Sequence, residues 1–187
     1  MIKAIVLDSE TTGFRAPDVI EVAYLELKAL EEYLNPSDIL KKKNEYQSYF
    51  NTNKVIEAGA HLIHGLTKAD LAGFSKFKFS ALGVHESVEY IIGHNISYDY
   101  RVMGKPSGYR YICTLKLAKL LFPGLDSYKL NAVMKEFFPE MYTKLVEDYH
   151  SALVDCKLCV AIIAVAVSEF EINSYEELYG LAGYIPK

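Results

Sequence analysis

The stretch that most constrains this chain is Ile2-Lys3-Ala4-Ile5-Val6-Leu7, a nearly continuous apolar run rich in β-branched residues. That pattern belongs to a strand buried on both faces. It ends in Asp8-Ser9-Glu10-Thr11-Thr12-Gly13. Strand side chains alternate faces, so Asp8 and Glu10 point to the same side. Two carboxylates side by side at a buried strand end repel each other unless a cation sits between them, and hard oxygen ligands suit Mg²⁺ or Mn²⁺. A strand running out into a solvated acidic turn is the competing reading. On this stretch alone both stay open.

The rest of the composition narrows the class. At 187 residues one domain, spanning 1–187, is expected. Hydrophobic and charged fractions of 51% and 24% are those of a globular protein rather than a disordered one. The N-terminus shows no charged leader followed by an apolar core and a cleavage site, and the longest apolar run, Leu158 to Val167, is too short to span a bilayer. Three cysteines, an odd number, argue against a disulfide framework and for a reducing, cytoplasmic setting. Cys156 and Cys159 form a CxxC inside a helical pattern and read as buried apolar thiols. A net charge of −4 excludes a protein that coats nucleic acid electrostatically; any polyanion must be gripped locally.

Along the chain, Val19 to Leu27 alternates as a half-exposed strand hairpinned to the first. Residues 31 to 46 are expected as a solvated polar loop, with a phosphate-contacting patch at Lys41-Lys42-Lys43 as the lesser alternative. Tyr46 to Phe50 predicts a third strand, Ala58 to His64 a short helix, and Thr67-Lys68-Ala69-Asp70 a capped helix start. Lys76-Phe77-Lys78-Phe79 suits either inward-turned aromatics or stacking on bases beside phosphate contacts. Glu86 to Ile92 predicts a helix leading into a strand end, and Ser97 a cap for a helix carrying Asp99. A strand at Arg110–Cys113, a helix capped by Thr114 over Leu115–Leu121 and a helix over Lys129–Phe138 follow. Tyr142 to His150 is expected as a loop, Ser151 to Phe170 as a long core helix with Asp155 near its start, and Ser174-Tyr175-Glu176-Glu177 as a capping box. Strands first, then strands alternating with helices, predict an α/β domain with a mixed central β-sheet flanked by α-helices.

Four acids stand out by context: Asp8 and Glu10 at a strand end, Asp99 and Asp155 each in a first helical turn. If both helices pack across the first strand, the four converge. Converging carboxylates are tolerable around cations, and four can hold two divalent ions about 3.5–4 Å apart, the arrangement that activates water and stabilises a leaving oxygen in phosphodiester cleavage. Taken singly, Asp99 and Asp155 are better read as helix-cap acids, because an acidic first turn is common. His150, five residues before Asp155, is singly a loop histidine; beside an activated water its near-neutral pKa makes it a fitting general base.

In order and spacing, Asp8-Ser9-Glu10-Thr11-Thr12-Gly13, His94-Asn95-Ile96-Ser97-Tyr98-Asp99 and His150-Ser151-Ala152-Leu153-Val154-Asp155 resemble the three motifs of the DEDDh exonuclease family, over nearly the whole chain. His61 to Thr67 is similar to the segment before that family's second motif. Tyr111 to Ala118 and Lys129-Leu130-Asn131 are similar to its exonuclease X branch. The resemblance implies a ribonuclease H-like fold and stepwise 3′→5′ hydrolysis with two Mg²⁺ ions, for which Mn²⁺ substitutes. Carried over by position, Asp8, Glu10, Asp99 and Asp155 are metal ligands and His150 the general base. Thr11, Thr12, His64, His94, Asn95 and Tyr98 lie around the terminal nucleotide, with a core or loop-ordering role as the alternative for His64 and His94. Tyr98 departs from the family, where Phe is frequent. The implied substrate is a DNA 3′ end, single-stranded by preference, in repair or proofreading beside a polymerase or repair partner. An RNA 3′-exonuclease and a catalytically silent binding module are the alternatives.

Overall fold

The computed structural model describes residues 1–28, 30, 44–145 and 151–186. Six strands form one mixed sheet: β1 (Ala4–Thr11), β2 (Val19–Leu27), β3 (Glu45–Tyr49), β4 (Tyr90–Gly93), β5 (Arg110–Cys113) and β6 (Gly183–Tyr184), in the order β3-β2-β1-β4-β5-β6. β1 to β3 are antiparallel, β1, β4 and β5 run parallel, and β6 closes the far edge antiparallel. The chain leaves β1 toward one edge and returns through β4 to fill the other. In open sheets that reversal leaves a crevice at the carboxyl ends of the strands, where ligands bind.

The helices are α1 (Ala58–His64), α2 (Lys68–Leu71), α3 (Ser97–Val102), α4 (Thr114–Leu121), α5 (Leu130–Phe137), α6 (Pro139–Leu145), α7 (Ala152–Glu169) and α8 (Tyr175–Ala182). α7 is apolar nearly all round and lies in the core, against β1 and β2. Leu158, Cys159, Ala161, Ile162 and Ile163 are fully buried there with Val6, Ala23 and Ile92 of the sheet. Each large aliphatic side chain so buried contributes about 1.5–3 kcal/mol. The opposite face carries a second, more aromatic cluster built on Ile5, Leu7, Tyr24, Phe50 and Tyr111, closed by α3. No helix among the described residues is long and apolar enough to cross a membrane.

Several expectations need correction. β1 does not stop at Leu7: it pairs with β2 through Glu10 and Thr11, where a bulge bends it, so Asp8 and Glu10 belong to the ladder itself. β2 is not half-exposed, since α7 covers one face and the aromatic cluster the other. Residues 86–89 form a turn and not a helix; the Val88 amide donates to the His85 carbonyl, and the Ser87 hydroxyl donates to Ile2. The part of the Tyr142–His150 loop that is described, Tyr142–Leu145, is helical. Pro139 opens α6 where its missing N–H costs nothing, and the Thr143 hydroxyl donates to the Pro139 carbonyl. Ser97 and Thr114 are first helical residues without a capping bond, whereas Thr67 with Asp70 closes a true capping box. Ser174 caps α8 by accepting from the Glu177 amide, but the Glu177 carboxylate reaches the Asn173 amide instead of returning to Ser174. Lys76–Phe79 turns its aromatics inward, Phe77 edge-on to Phe50 and Phe79 to Tyr109. The Lys41-Lys42-Lys43 run lies outside the described residues.

Candidate active site

The carboxyl end of β1 is a meeting point of acids. Asp8 and Glu10 project from one face of the strand toward the first turn of α7, which carries Asp155; carboxylate oxygens of these three lie within 4.8 Å of one another. α7 reaches this point because Ser151 caps it, its hydroxyl accepting from the Val154 amide at 3.4 Å. Asp99 enters from the other face of the sheet on α3. It is 3% exposed, and the Ser9 hydroxyl donates to its Oδ1 at 2.7 Å. Ser9 lies between Asp8 and Glu10 and so points to the opposite face, toward α3. The motif thus places two carboxylates on one side of β1 and the clamp for a third on the other.

The electrostatics of this cluster are those of like charges taken from water. Burial first, and then Asp99, Asp155, Glu10 and Glu21, hold the Asp8 carboxyl well above its ordinary value. Glu10 is pushed up to about 9 by burial and by Asp155, Glu21 and Asp99. Asp99 is raised to about 7 by burial, against the lowering effect of its hydrogen bond from Ser9. Such a group stays ionised at neutral pH when cations join it. The donor set, carboxylate oxygens only, is the one hard divalent cations take.

One acid here is not among the motif residues. Glu21 on β2 stands directly opposite Glu10 in the ladder and is 1% exposed. Its Oε1 accepts from Gln47 Nε2 at 2.7 Å. Alternation marks Glu21 as a solvent-facing strand residue, so the sequence hides it; its place opposite Glu10 is the signal that finds it.

The remaining motif residues surround the strand end. The Thr11 hydroxyl donates to the Gly13 carbonyl at 3.0 Å and pairs with the Tyr98 hydroxyl at 2.7 Å. Thr12 closes the following loop, its hydroxyl accepting from the Asp18 amide and its carbonyl from the Glu57 amide. That last bond brings α1 onto the end of β1. His64 on α1 is buried; its Nδ1 accepts from the Leu66 amide at 3.0 Å, and burial lowers its pKa. His94 has both ring nitrogens engaged, Nδ1 with the Thr114 hydroxyl at 3.0 Å and Nε2 with the Tyr128 carbonyl at 2.7 Å, so its bonds order the β4–α3 and α5 loops. Asn95 adopts a left-handed conformation, φ 59°, and its side chain accepts from Ser97. Thr11 follows Glu10 in β1, and Tyr98 feels the charges of Asp99 and Glu10; His94 feels that of Asp155, while its hydrogen bonds and those of Thr12 run into the protein. His150 lies outside the described residues. Cys156 and Cys159 are buried with thiol pKa values raised by burial, and all three cysteines are free.

A mixed sheet of this order with helices on both faces and acids at the end of its first strand is a ribonuclease H-like architecture. It superposes on exonuclease X in complex with 5′-overhanging duplex DNA with a TM-score of 0.71, covering 95% of this chain and 98% of that one at 23% identity. By sequence, the chain belongs to the exonuclease family whose RNase T model matches residues 5–163. It is similar to exodeoxyribonuclease 10 of Escherichia coli (strain K12), 27% identical over 160 residues, covering 84% of this chain and 66% of that protein. It is also similar to the DNA polymerase III subunit epsilon of Buchnera aphidicola subsp. Baizongia pistaciae, 30% identical over 179 residues, covering 86% and 69%. The chain thus spans about two thirds of the length of these relatives.

Proposed function

We propose that this protein is a 3′→5′ exonuclease that hydrolyses DNA from its 3′ end to 5′-mononucleotides, with two divalent ions, Mg²⁺ or Mn²⁺, held by Asp8, Glu10, Asp99 and Asp155. The observation that carries the reading is the approach of Asp8, Glu10 and Asp155 to within 4.8 Å at the end of β1. Mutually repelling carboxylates so close together match the charge and donor chemistry of such ions. When bound, the ions supply Lewis-acid activation of water and compensation of the charge that develops on the leaving oxygen.

The chain's own groups divide the remaining work. Ser9 holds Asp99 in place through its hydroxyl. The imidazole of His150 takes the proton of the attacking water as its oxygen bonds to phosphorus and the bond to the 3′ oxygen of the preceding nucleotide breaks. Thr11, Asn95 and Tyr98 border the terminal nucleotide, and His64 backs them from α1. The DNA assignment is supported by similarity to an exodeoxyribonuclease and to polymerase epsilon subunits. That similarity also supports a role in repair or proofreading beside a polymerase or repair partner. The free, buried cysteines fit a reducing, cytoplasmic setting.

The test is incubation of the purified protein with end-labelled single-stranded DNA, duplex DNA, RNA and circular single-stranded DNA, with Mg²⁺ and with excess EDTA. A ladder shortening by one nucleotide from the 3′ end of linear DNA, with Mg²⁺ alone, is the expected result. Activity undiminished in EDTA, or rapid cutting of the circle, overturns the reading; faster degradation of RNA moves the substrate to the ribonucleotide class.

A further inference from the structure

Glu21 is buried deeper than the acids it faces, and no step above uses it. A glutamate 1% exposed in the middle of a sheet is expensive unless its charge is met. Among the described residues, the side-chain hydrogen bond it accepts comes from Gln47, a neutral amide, and the ion pairs Lys157 to Glu45 and Lys54 to Asp18 run elsewhere. Its ladder partner is Glu10. Directly opposed residues share a face with Cβ atoms about 4.5–5.5 Å apart, so Glu21 lies behind Glu10 on the face that α7 covers. Burial raises the Glu21 carboxyl above its ordinary value, against the lowering effect of hydrogen bonds from Gln47 and from the backbone amide of Ala152, the first residue of α7, while the Asp155 charge raises it further; helix N-termini favour negative charge. Glu21 thus stands between the two elements that deliver Glu10 and Asp155.

We infer that Glu21 is a positioning residue of the metal centre: from behind Glu10 it adds negative potential to the ion site and fixes the start of α7, and with it Asp155, against β2. The inference rests on the proposed metal-dependent reading. Glu21 does not ligate an ion. Its charge is one that the bound cations compensate, so its removal weakens cation binding before substrate is present.

Two variants test this, with cation binding read as the rise in thermal midpoint during a Mn²⁺ titration of substrate-free protein. Glu21→Gln keeps the shape and removes the charge. Gln47→Lys, at an exposed position, places a cation on Glu21 and leaves the core untouched. For both, the half-saturating Mn²⁺ concentration is expected to rise, on the order of tenfold for Glu21→Gln and severalfold for Gln47→Lys. In EDTA, Glu21→Gln is expected to melt no lower than the parent, because a repulsion has been removed. Half-saturation within twofold of the parent in both variants overturns the inference, as does a lowered midpoint in EDTA with unchanged Mn²⁺ response, the signature of a purely structural residue. If Glu21→Gln does not fold, Gln47→Lys decides alone. A parent whose midpoint Mn²⁺ does not move refutes the metal reading itself, a distinct outcome.

Discussion

The roles proposed for Asp99 and His150 have different support, contacts for the first and chemistry alone for the second. Asp99 is held by the Ser9 hydroxyl, which donates to its Oδ1, and by backbone hydrogen bonds, on the opposite side of β1 from Asp8 and Glu10. The role proposed for His150 rests on the spacing His-x4-Asp and on what an imidazole does at neutral pH. His150→Ala is expected to lower the single-turnover rate by about 10²–10⁴-fold at saturating Mg²⁺ and DNA, the usual worth of a positioned base, with Mn²⁺ and DNA binding nearly unchanged. A rate within a few-fold of the parent ends the general-base assignment. The approach of Asp8, Glu10 and Asp155 to one another was legible because period-two alternation and helix starts dictate where such side chains point. Glu21 was not, because its burial depends on α7 covering β2, a long-range packing event that no local pattern encodes.

At the level of elements, the positions of β2, β3, β5 and α1 were legible within a residue, since their apolar spacing and flanking turns agree. The failures lie where tertiary contacts decide. Residues 86–89 turn because the Ser87 hydroxyl is held by Ile2, and α6 forms because Pro139 starts a helix that packs beside α5. Gly93 shows how tightly β4 and β1 are joined. A Cβ there meets the Leu7 carbonyl oxygen at 2.8 Å and Ile96 Cδ1 at 2.7 Å. The carbonyl is backbone in β1, one residue before Asp8, and cannot rotate away. Gly93→Ala is therefore expected to cost about 1–3 kcal/mol in chemical denaturation, the usual penalty of overpacking, and to reduce nuclease rate by displacing Asp8. Stability equal to the parent's contradicts this packing account.

Taken as a whole, the molecule carries its acids as a store of repulsion, which the proposed cations would relieve, and this links stability to pH. Glu10 rises from an ordinary value of 4.5 to about 9, and Asp99 from 3.8 to about 7. A carboxyl whose folded-state pKa is raised contributes stability that is complete below its unfolded value and is lost as pH climbs through the folded one. In EDTA the thermal midpoint should thus fall as pH rises from about 5 to 9 through this site's contribution. Cations at the proposed site would bind the ionised carboxylates, so the stabilisation they bring should grow over the same range.

The most direct measurement is the difference in thermal midpoint with Mg²⁺ and with EDTA, at pH 6 and at pH 8.5, for the parent and for Asp8→Ala. Each kcal/mol of cation stabilisation moves the midpoint of a chain this size by about 2–4 °C. The predicted result is a parent difference larger at pH 8.5 than at pH 6, and an Asp8→Ala variant whose difference shrinks while its midpoint in EDTA equals or exceeds the parent's. A parent midpoint that Mg²⁺ does not raise at either pH, or an Asp8→Ala variant that responds to Mg²⁺ as the parent does, contradicts the claim that these acids form a cation site.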